Sequence, residues 1–223
     1  FLSVIGAMSL LAFAGYMYIN YQFIRNQETG FKELSTLNFT ESQRIFADSL
    51  KMSDDLFWSL IDDSKKRHSD NFDAQMIFLE QELSSMSNAD IVGFERTLRE
   101  KVIELWAYDI KALYQIIHGE YLSTDGFIYF RFWVISNGSL FYENTLTNVD
   151  DLAEMIEATY DGENLLYVAD RAFEMKNGTE SGLDFPRDQS YTVSYDFGNY
   201  KMSGDYVSLD EYEAKYPKLT AKF

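Results

Sequence analysis

The fold is decided by residues 121–138, which read YLSTDGFIYFRFWVISNG. One carboxylate, Asp125, and one guanidinium, Arg131, lie in this stretch among aromatic and aliphatic side chains. A charge that is buried without a partner is unfavourable by several kcal/mol. We therefore expect that Asp125 and Arg131 reach partners or water, or that the stretch forms the wall of a functional site.

The same stretch carries local signals for both strand and helix. Asp125-Gly126 and Asn137-Gly138 are typical of hairpin turns, and residues 127–135 are rich in types that favour strands. Ser123, however, is a suitable N-cap with an acidic residue in the first turn after it, and Gly138 suits the C-terminal end of a helix. Because the neighbouring elements are helical, we predict a helix here with Ser123 as its N-cap.

Helical periodicity and capping residues precede this stretch. Ser53 precedes a helix over 54–66 with acidic residues in its first turn and basic residues in its last, and Asn71 suits the cap of the next helix. Apolar residues then recur every three or four positions over 89–117, as one helix or as two helices joined near Trp106. We therefore predict an all-α fold, a helical bundle-like globular domain.

The C-terminal residues have a different texture. Residues 179–223 are richer in Gly, Ser, Asp and Tyr, and apolar and polar residues alternate over 191–197. This period predicts a small β-hairpin near residues 190–207. Ser208-Leu209-Asp210-Glu211 is a capping box, which predicts a final helix limited by Pro217.

The first 24 residues carry no charged side chain. As a helix they would be about 36 Å long, which exceeds the bilayer's hydrocarbon core of about 30 Å. Tyr16, Tyr18 and Tyr21 lie near one end, where tyrosine favours the membrane interface, and Arg25 follows. We predict a single transmembrane helix over Phe1–Ile24, through which the protein contacts the membrane.

Two other interpretations of this segment stay open. Ala12-Phe13-Ala14 resembles a signal-peptidase site, which would make residues 1–14 a removable leader, and a buried core helix is the third interpretation. Arg25 and Lys32 follow the span, and the positive-inside rule then places the large domain in the cytoplasm. The predicted localisation is that of a single-pass membrane protein with a cytoplasmic domain.

The chain divides into four predicted parts. They are an anchor over 1–25, a juxtamembrane linker with a short helix over 26–52, a helical domain over 53–178, and a C-terminal extension with the final helix over 179–223. The short helix of the second part begins at the capping box that opens with Thr40.

Composition excludes several classes of function. The formal net charge is −17, whereas a nucleic-acid-binding surface needs clustered Lys and Arg, so we predict no nucleic-acid partner. The chain has no cysteine, which excludes disulfides, thiolate nucleophiles and Cys-type metal sites. His68 and His118 are its only histidines, and they form no metal-binding motif. We predict neither a cofactor nor a metal.

One group of residues is a candidate site for a ligand or partner. Ser123 and Asp125 lie at the predicted helix start, Arg131 follows two turns later, and Tyr108 and Asp109 in the preceding helix can converge on them. With the neighbouring aromatic residues, the candidate set is Trp58, Tyr108, Asp109, Ser123, Asp125, Phe127, Arg131 and Trp133. A structural interpretation competes, in which Ser123 caps the helix, Asp125 or Asp109 neutralises a buried Arg131, and the aromatic residues belong to the core.

Short motifs spread over the chain point to one family. They are Phe57-Trp58-Ser59-Leu60-Ile61, Glu82-Leu83, Ile91-Val92-Gly93-Phe94, Tyr108, Ser123 to Ile135, Gly138, Tyr142 and Asp150-Asp151-Leu152-Ala153. With these motifs, residues 54–172 resemble the bacterial family DUF4240, a domain of unknown function, and Tyr216-Pro217-Lys218-Leu219 with Phe223 fits more weakly. The resemblance implies an α-helical domain and implies no established activity.

These observations support two main hypotheses of function. In the first, a membrane-anchored protein presents its acidic helical domain to a protein partner, as a non-catalytic interaction or regulatory module that neutralises, for example, a toxin. In the second, an enzyme or small-ligand binder uses Tyr108, Asp109, Asp125 and Arg131, which requires a solvent-open pocket bordered by these residues. A third hypothesis makes the anchor itself the working part, which assembles with other membrane helices.

Overall fold

The regular structure is helical in all the residues that this computed structural model describes, which are 50–159, 161–179, 185–190 and 201–223. The predicted all-α fold is confirmed for them. Most of the predicted hairpin near residues 190–207 lies outside the described residues. In the described remainder, an isolated parallel bridge joins Ser203 to Ala107, and no strand forms there.

Ten α-helices lie in the described residues, and those between residues 54 and 147 are joined by short connections. In chain order they are α1 (Asp54–Arg67), α2 (Phe72–Ser85), α3 (Asn88–Glu104), α4 (Tyr108–His118), α5 (Thr124–Ser136), α6 (Ser139–Thr147), α7 (Val168–Asn177), α8 (Pro186–Gln189), α9 (Tyr212–Lys215) and α10 (Pro217–Lys222). Short 3-10 helices lie at Val149–Glu154, Glu163–Tyr167 and Leu209–Glu211.

Capping side chains begin four of the described helices, and Ser53, Asn71 and Ser123 are caps that the sequence predicts. The side chains of Ser53, Asn71, Ser87 and Ser123 accept a backbone N–H from the first turns of α1, α2, α3 and α5. Each of these bonds satisfies a donor that has no partner inside its helix. The helix predicted over the deciding stretch, with Ser123 as its N-cap, is therefore confirmed.

The long pattern over 89–117 forms two helices. It breaks after Glu104, and α4 begins at Tyr108. Trp106 and Tyr108 exchange backbone hydrogen bonds with Ser203, each at 3.0 Å, so a C-terminal residue occupies the break. Gly138 lies at the C-terminal end of α5 as expected: it follows the C-cap Asn137 with φ +98° and donates its N–H to the carbonyl of Ile135, and it is also the N-cap of α6.

Helix α5 is the centre of the domain. Nine of its side chains are buried, and it packs against α1, α3, α4, α6 and the 3-10 helix Glu163–Tyr167. A helix that is apolar on all sides is stable only when other elements surround it. Gly162 allows one of these contacts, because a Cβ there would collide with the backbone of Tyr129 and Trp133.

Of three predictions about the chain ends, the structure tests only the one at the C-terminal end. The anchor over Phe1–Ile24 and the short helix after Thr40 lie outside the described residues. None of the described helices has both the length and the apolar character to span a bilayer. The final helix does stop before Pro217, but Pro217 then begins a further helix, α10, because its fixed φ suits a first helical position.

Candidate functional site

Arg131 caps the C-terminal end of a neighbouring helix. Its side chain is 1% exposed, and its guanidinium donates to the carbonyl oxygens of Val102 at 2.9 Å and Phe127 at 3.4 Å. Val102 is among the last four residues of α3, whose carbonyls lack partners inside the helix and carry the negative end of its dipole. The guanidinium also lies 5.0 Å from the ring centroid of Trp106. A buried cation is therefore satisfied by a helix end and by aromatic rings.

The expected neutralisation of Arg131 by Asp125 or Asp109 is not seen among the described residues. Six positions along an α-helix leave Asp125 and Arg131 about 120° apart around the axis and about 9 Å apart along it. Asp125 is exposed at the start of α5, while Ser123 beside it accepts a hydrogen bond from the N–H of Gly126 at 3.0 Å. The charge of Asp125 is thus solvated at the positive end of the α5 dipole.

Asp109 binds the C-terminal segment of the chain. Its Oδ1 accepts hydrogen bonds from Lys215 Nζ at 2.8 Å and from the Tyr216 hydroxyl at 2.6 Å. Burial by itself raises the pKa of the Asp109 carboxyl, but these two hydrogen bonds outweigh it and hold the pKa below its usual value. Its neighbour Tyr108 packs edge-on against Tyr206, with ring centroids 5.6 Å apart.

The aromatic candidates belong to the core. Phe127 and Trp133 are almost fully buried in α5, and Trp133 packs against Phe141 on α6. Trp58 is partly buried and lies against the ring of Tyr142, with centroids 4.8 Å apart. These contacts agree with the structural interpretation of the aromatic residues.

The structure does not bring the proposed enzymatic residues to one pocket. Arg131 is sealed in the core, Asp125 faces solvent, and Asp109 holds the C-terminal segment. A cavity of about 250 Å³ is lined by polar residues that include Asp109, Glu104 and Asn148, and Asp109 is the one candidate that borders it. This volume is below the range of about 300–1,000 Å³ that is typical of small-molecule sites.

A buried charge cluster escaped the sequence analysis. Arg99 donates to Glu95 at 2.7 Å within α3, and Arg187 Nε lies 3.2 Å from Asp170 Oδ2 where α8 meets α7. Burial raises the pKa of both Glu95 and Asp170. In the sequence, Glu95 and Arg99 are four positions apart, a spacing that usually marks a solvated pair on a helix face. Only the packing of α7 and α8 over α3 shows that the cluster is structural.

Another group that the sequence analysis missed joins α5 to the 3-10 helix Glu163–Tyr167. The hydroxyls of Tyr129 and Tyr167 both donate to Glu163 Oε1, at 3.2 and 3.3 Å. Burial and the carboxylate of Glu163 raise the pKa of Tyr129 to about 12. Tyr129 therefore stays protonated at neutral pH and acts as a hydrogen-bond donor.

The distribution of acidic residues was also missed, although the sequence displays it. No Lys, Arg or His occurs between Arg131 and Arg171. Within that interval, residues 143–163, called the acidic segment below, contain Glu143, Asp150, Asp151, Glu154, Glu157, Asp161 and Glu163. All of these are exposed or partly exposed except Asp150, which is 8% exposed.

The comparison with protein families agrees with the sequence motifs. Residues 52–175 match the family described as "Protein of unknown function (DUF4240)". No curated protein and no solved structure gave a significant match. The family match spans more than half of the 223 residues and includes every helix from α1 to most of α7. The chain therefore belongs to the DUF4240 family.

Proposed function

We propose that the protein is a membrane-anchored, non-catalytic interaction module whose acidic segment binds a basic region of a partner protein. Phe1–Ile24 would hold it in the membrane, and the helical domain would lie on the cytoplasmic side. The partner recognised in this way is a protein with clustered Lys and Arg. Neutralising a basic toxin is one regulatory role that such a surface suits.

The observation that carries the proposal is the exposed charge of the acidic segment. Glu143, Glu154, Glu157 and Asp161 are exposed, and none of them has an ion-pair partner among the described residues. Exposed apolar side chains lie within or next to the segment, namely Leu140, Leu146 and Met155. Carboxylates around apolar residues suit a partner that presents a basic, amphipathic surface.

Electrostatics give this surface two properties. Like charges concentrated in one segment attract a basic protein over roughly a Debye length, about 8 Å at physiological ionic strength. The attraction raises the association rate and is screened by salt. The same charge repels nucleic acid, which supports the choice of a protein as the partner.

The alternative of an enzyme or small-ligand binder is not carried forward. It requires Tyr108, Asp109, Asp125 and Arg131 around a solvent-open pocket. The charged residues have different neighbours: Arg131 donates to the end of α3, Asp109 binds the C-terminal segment, and Asp125 is exposed to solvent. No geometry in the described residues favours that chemistry.

The proposal is tested by capture from membranes solubilised in mild detergent. The bait variant replaces Glu154→Gln, Glu157→Gln and Asp161→Asn, and captured proteins are compared by quantitative mass spectrometry with those of the wild type. A matched control replaces the same residue types at exposed positions elsewhere, Glu82→Gln, Glu120→Gln and Asp55→Asn.

We expect a basic protein that is captured by the wild type and by the control, and is lost with the acidic-segment variant. Loss should be at least about tenfold, because three carboxylates at about 0.5 kcal/mol each amount to about 1.5 kcal/mol. Equal capture by the two triple variants would eliminate the acidic segment as the binding surface.

The membrane anchor and its orientation have a separate test. The chain has no cysteine, so a single Lys176→Cys variant carries one thiol at an exposed position of α7. We expect the protein in the membrane fraction and the thiol protected from a membrane-impermeant maleimide until the cells are opened. Labelling in intact cells would place the domain outside, and recovery in the soluble fraction would contradict the anchor.

A further inference from the structure

The C-terminal segment Tyr212–Phe223 is a basic peptide within an acidic protein. It contains Lys215, Lys218 and Lys222 and a single acidic side chain, Glu213, whereas the chain as a whole has a formal net charge of −17. The segment lies outside the family match over 52–175. The surface that receives it, which includes Asp109, Asp150 and Asp151, lies inside that match.

The receiving surface supplies the cap of α10. Helix α10 has no side-chain cap of its own, and its first N–H groups instead reach across to Asp150. Asp150 Oδ1 accepts from the N–H of Lys218 at 2.9 Å and from the N–H of Leu219 at 3.0 Å. Asp150 is 8% exposed and Leu219 is fully buried, so a carboxylate and an apolar site together receive this helix.

The lysines of the segment bind groups of the acidic segment. Lys218 Nζ forms an ion pair with Asp151 at 2.6 Å, which lowers the pKa of Asp151 and raises that of Lys218. Lys222 Nζ donates to the carbonyl oxygens of Ala153 and Ile156, at 2.6 and 2.5 Å. At the other end, Asp109 binds Lys215 and the hydroxyl of Tyr216, as described above.

We propose that this surface is a docking site for basic helical peptides and that residues 212–223 occupy it in cis, in competition with the partner. The proposal rests on the proposed function and specifies how the acidic segment is regulated. Asp109, Asp150 and Asp151 form the receiving side. The partner's binding region has the same chemistry as the cis peptide, with lysines spaced around an aromatic and a leucine side chain.

Tethering makes the cis copy an effective competitor. A peptide attached by a short connection has an effective concentration on the order of 1 mM. If the cis segment is undocked for about one hundredth of the time, a competing peptide binds about 100-fold more weakly than it would to the open site. Weakening the cis segment should therefore strengthen binding in trans.

The test uses the full chain and a fluorescein-labelled peptide with the sequence of residues 212–223, measured by fluorescence anisotropy. The opening variant, Lys218→Glu with Lys222→Glu, weakens the cis segment and leaves the receiving side intact. The control, Lys66→Glu with Lys176→Glu, makes the same change of net charge at exposed positions elsewhere. A third protein adds Asp150→Asn and Asp151→Asn to the opening variant.

We expect the peptide to bind the opening variant at least about tenfold more tightly than the wild type or the control. The two added aspartate substitutions should abolish that gain. Equal affinity for the opening variant and the control, or a gain that survives loss of both aspartates, would overturn the proposal.

Hydrogen exchange shows whether the opening variant retains its fold. Amides of residues 212–223 should exchange faster in it, while those of α3 and α5 keep wild-type protection. If α5 also loses protection, Tyr216→Phe takes its place, because it removes the bond to Asp109 and keeps the ring. That variant should bind the peptide more tightly than the wild type, and unchanged affinity would equally overturn the proposal.

The two proposals fail separately. If the peptide binds tightly but no captured protein is lost with the acidic-segment variant, the docking site is retained and the proposed function is rejected. Capture of a partner that the peptide fails to displace would retain the proposed function and reject competition in cis.

Discussion

Asp150→Ala should release the C-terminal segment without unfolding the domain. The substitution removes both hydrogen bonds to the N-terminus of α10, which are 2.9 and 3.0 Å long. Loss of an N-cap is unfavourable by about 0.5–2 kcal/mol, and loss of a carboxylate near the helix dipole adds about 0.3–1 kcal/mol. Together they reduce the free energy of opening for this segment by about 2 kcal/mol.

The assay is hydrogen exchange resolved to single amides. A change of about 2 kcal/mol raises the open population about 30-fold, so the amides of Lys218 and Leu219 should exchange about 30-fold faster. Amides in α5 should keep their protection, because Asp150 has no hydrogen bond to that helix. Asp150→Asn should give about half of the effect in free energy, since its amide retains one carbonyl acceptor.

Asp151→Ala is the matched control. Asp151 adjoins Asp150 and binds the same residue, Lys218, but both partners of that ion pair are about half exposed. Exposed pairs typically contribute about 0–1 kcal/mol. Equal acceleration in Asp151→Ala and Asp150→Ala, or no acceleration in either, would refute the view that a buried carboxylate caps α10.

Three further predictions concern pH and the core. The pKa of Asp109 is lowered in the folded protein, so its contribution to stability is present above the unfolded pKa of about 3.9 and is lost as the pH falls through the folded pKa. The NMR signals of the C-terminal segment should therefore shift only below about pH 4. Movement of these signals at pH 5–6 would contradict this. Arg131→Ala should lower the free energy of unfolding in urea by about 3 kcal/mol, since it leaves a cavity and an unsatisfied carbonyl, and a change below about 1 kcal/mol would show that the cap is dispensable. Gly162→Ala should lower it by about 1–3 kcal/mol because its Cβ meets the α5 backbone, and a neutral result in thermal melts would contradict that contact.

Buried ion pairs give one more test of the core. Arg99→Ala leaves Glu95 buried without the guanidinium that donates to it at 2.7 Å, which should destabilise the fold by about 3 kcal/mol or more near pH 7. Burial raises the pKa of Glu95, so the folded state binds its proton more readily and the loss should shrink as the pH falls toward 5. Glu95→Gln in the same background should restore part of the stability, and urea denaturation that shows no restoration would contradict this account.

Helices with local caps were predictable from the sequence. Ser53, Asn71 and Ser123 each precede their helix by one position and cap it within three residues, so local patterns identify them. Helix α6 was missed because its N-terminal Ser139 donates to Asp62, which lies 77 positions away. A cap that is distant in sequence leaves no local signal.

The same reason explains why the hydrogen-bond acceptors of Arg131 could not be predicted from the sequence. Sequence alone shows that Arg131 lies among apolar side chains, and a carboxylate is the partner that residue types suggest. Among the described residues, Arg131 donates instead to the backbone carbonyls of Phe127 and Val102. The carbonyl of Val102 has no partner inside α3 because that helix ends two residues later. Where a helix ends relative to a distant side chain depends on packing, which a single sequence does not encode locally.

Arg131 and Asp150 of the family motifs have structural roles, and the acidic segment is where we place function. The most direct test measures the dissociation constant of the captured partner for the full chain between about 50 and 300 mM salt. We expect the wild type and the triple control at Asp55, Glu82 and Glu120 to weaken about tenfold over this range. The triple variant at Glu154, Glu157 and Asp161 should bind more weakly at low salt and change little with salt. The same affinity and salt dependence in all three proteins would contradict the assignment of binding to the acidic segment.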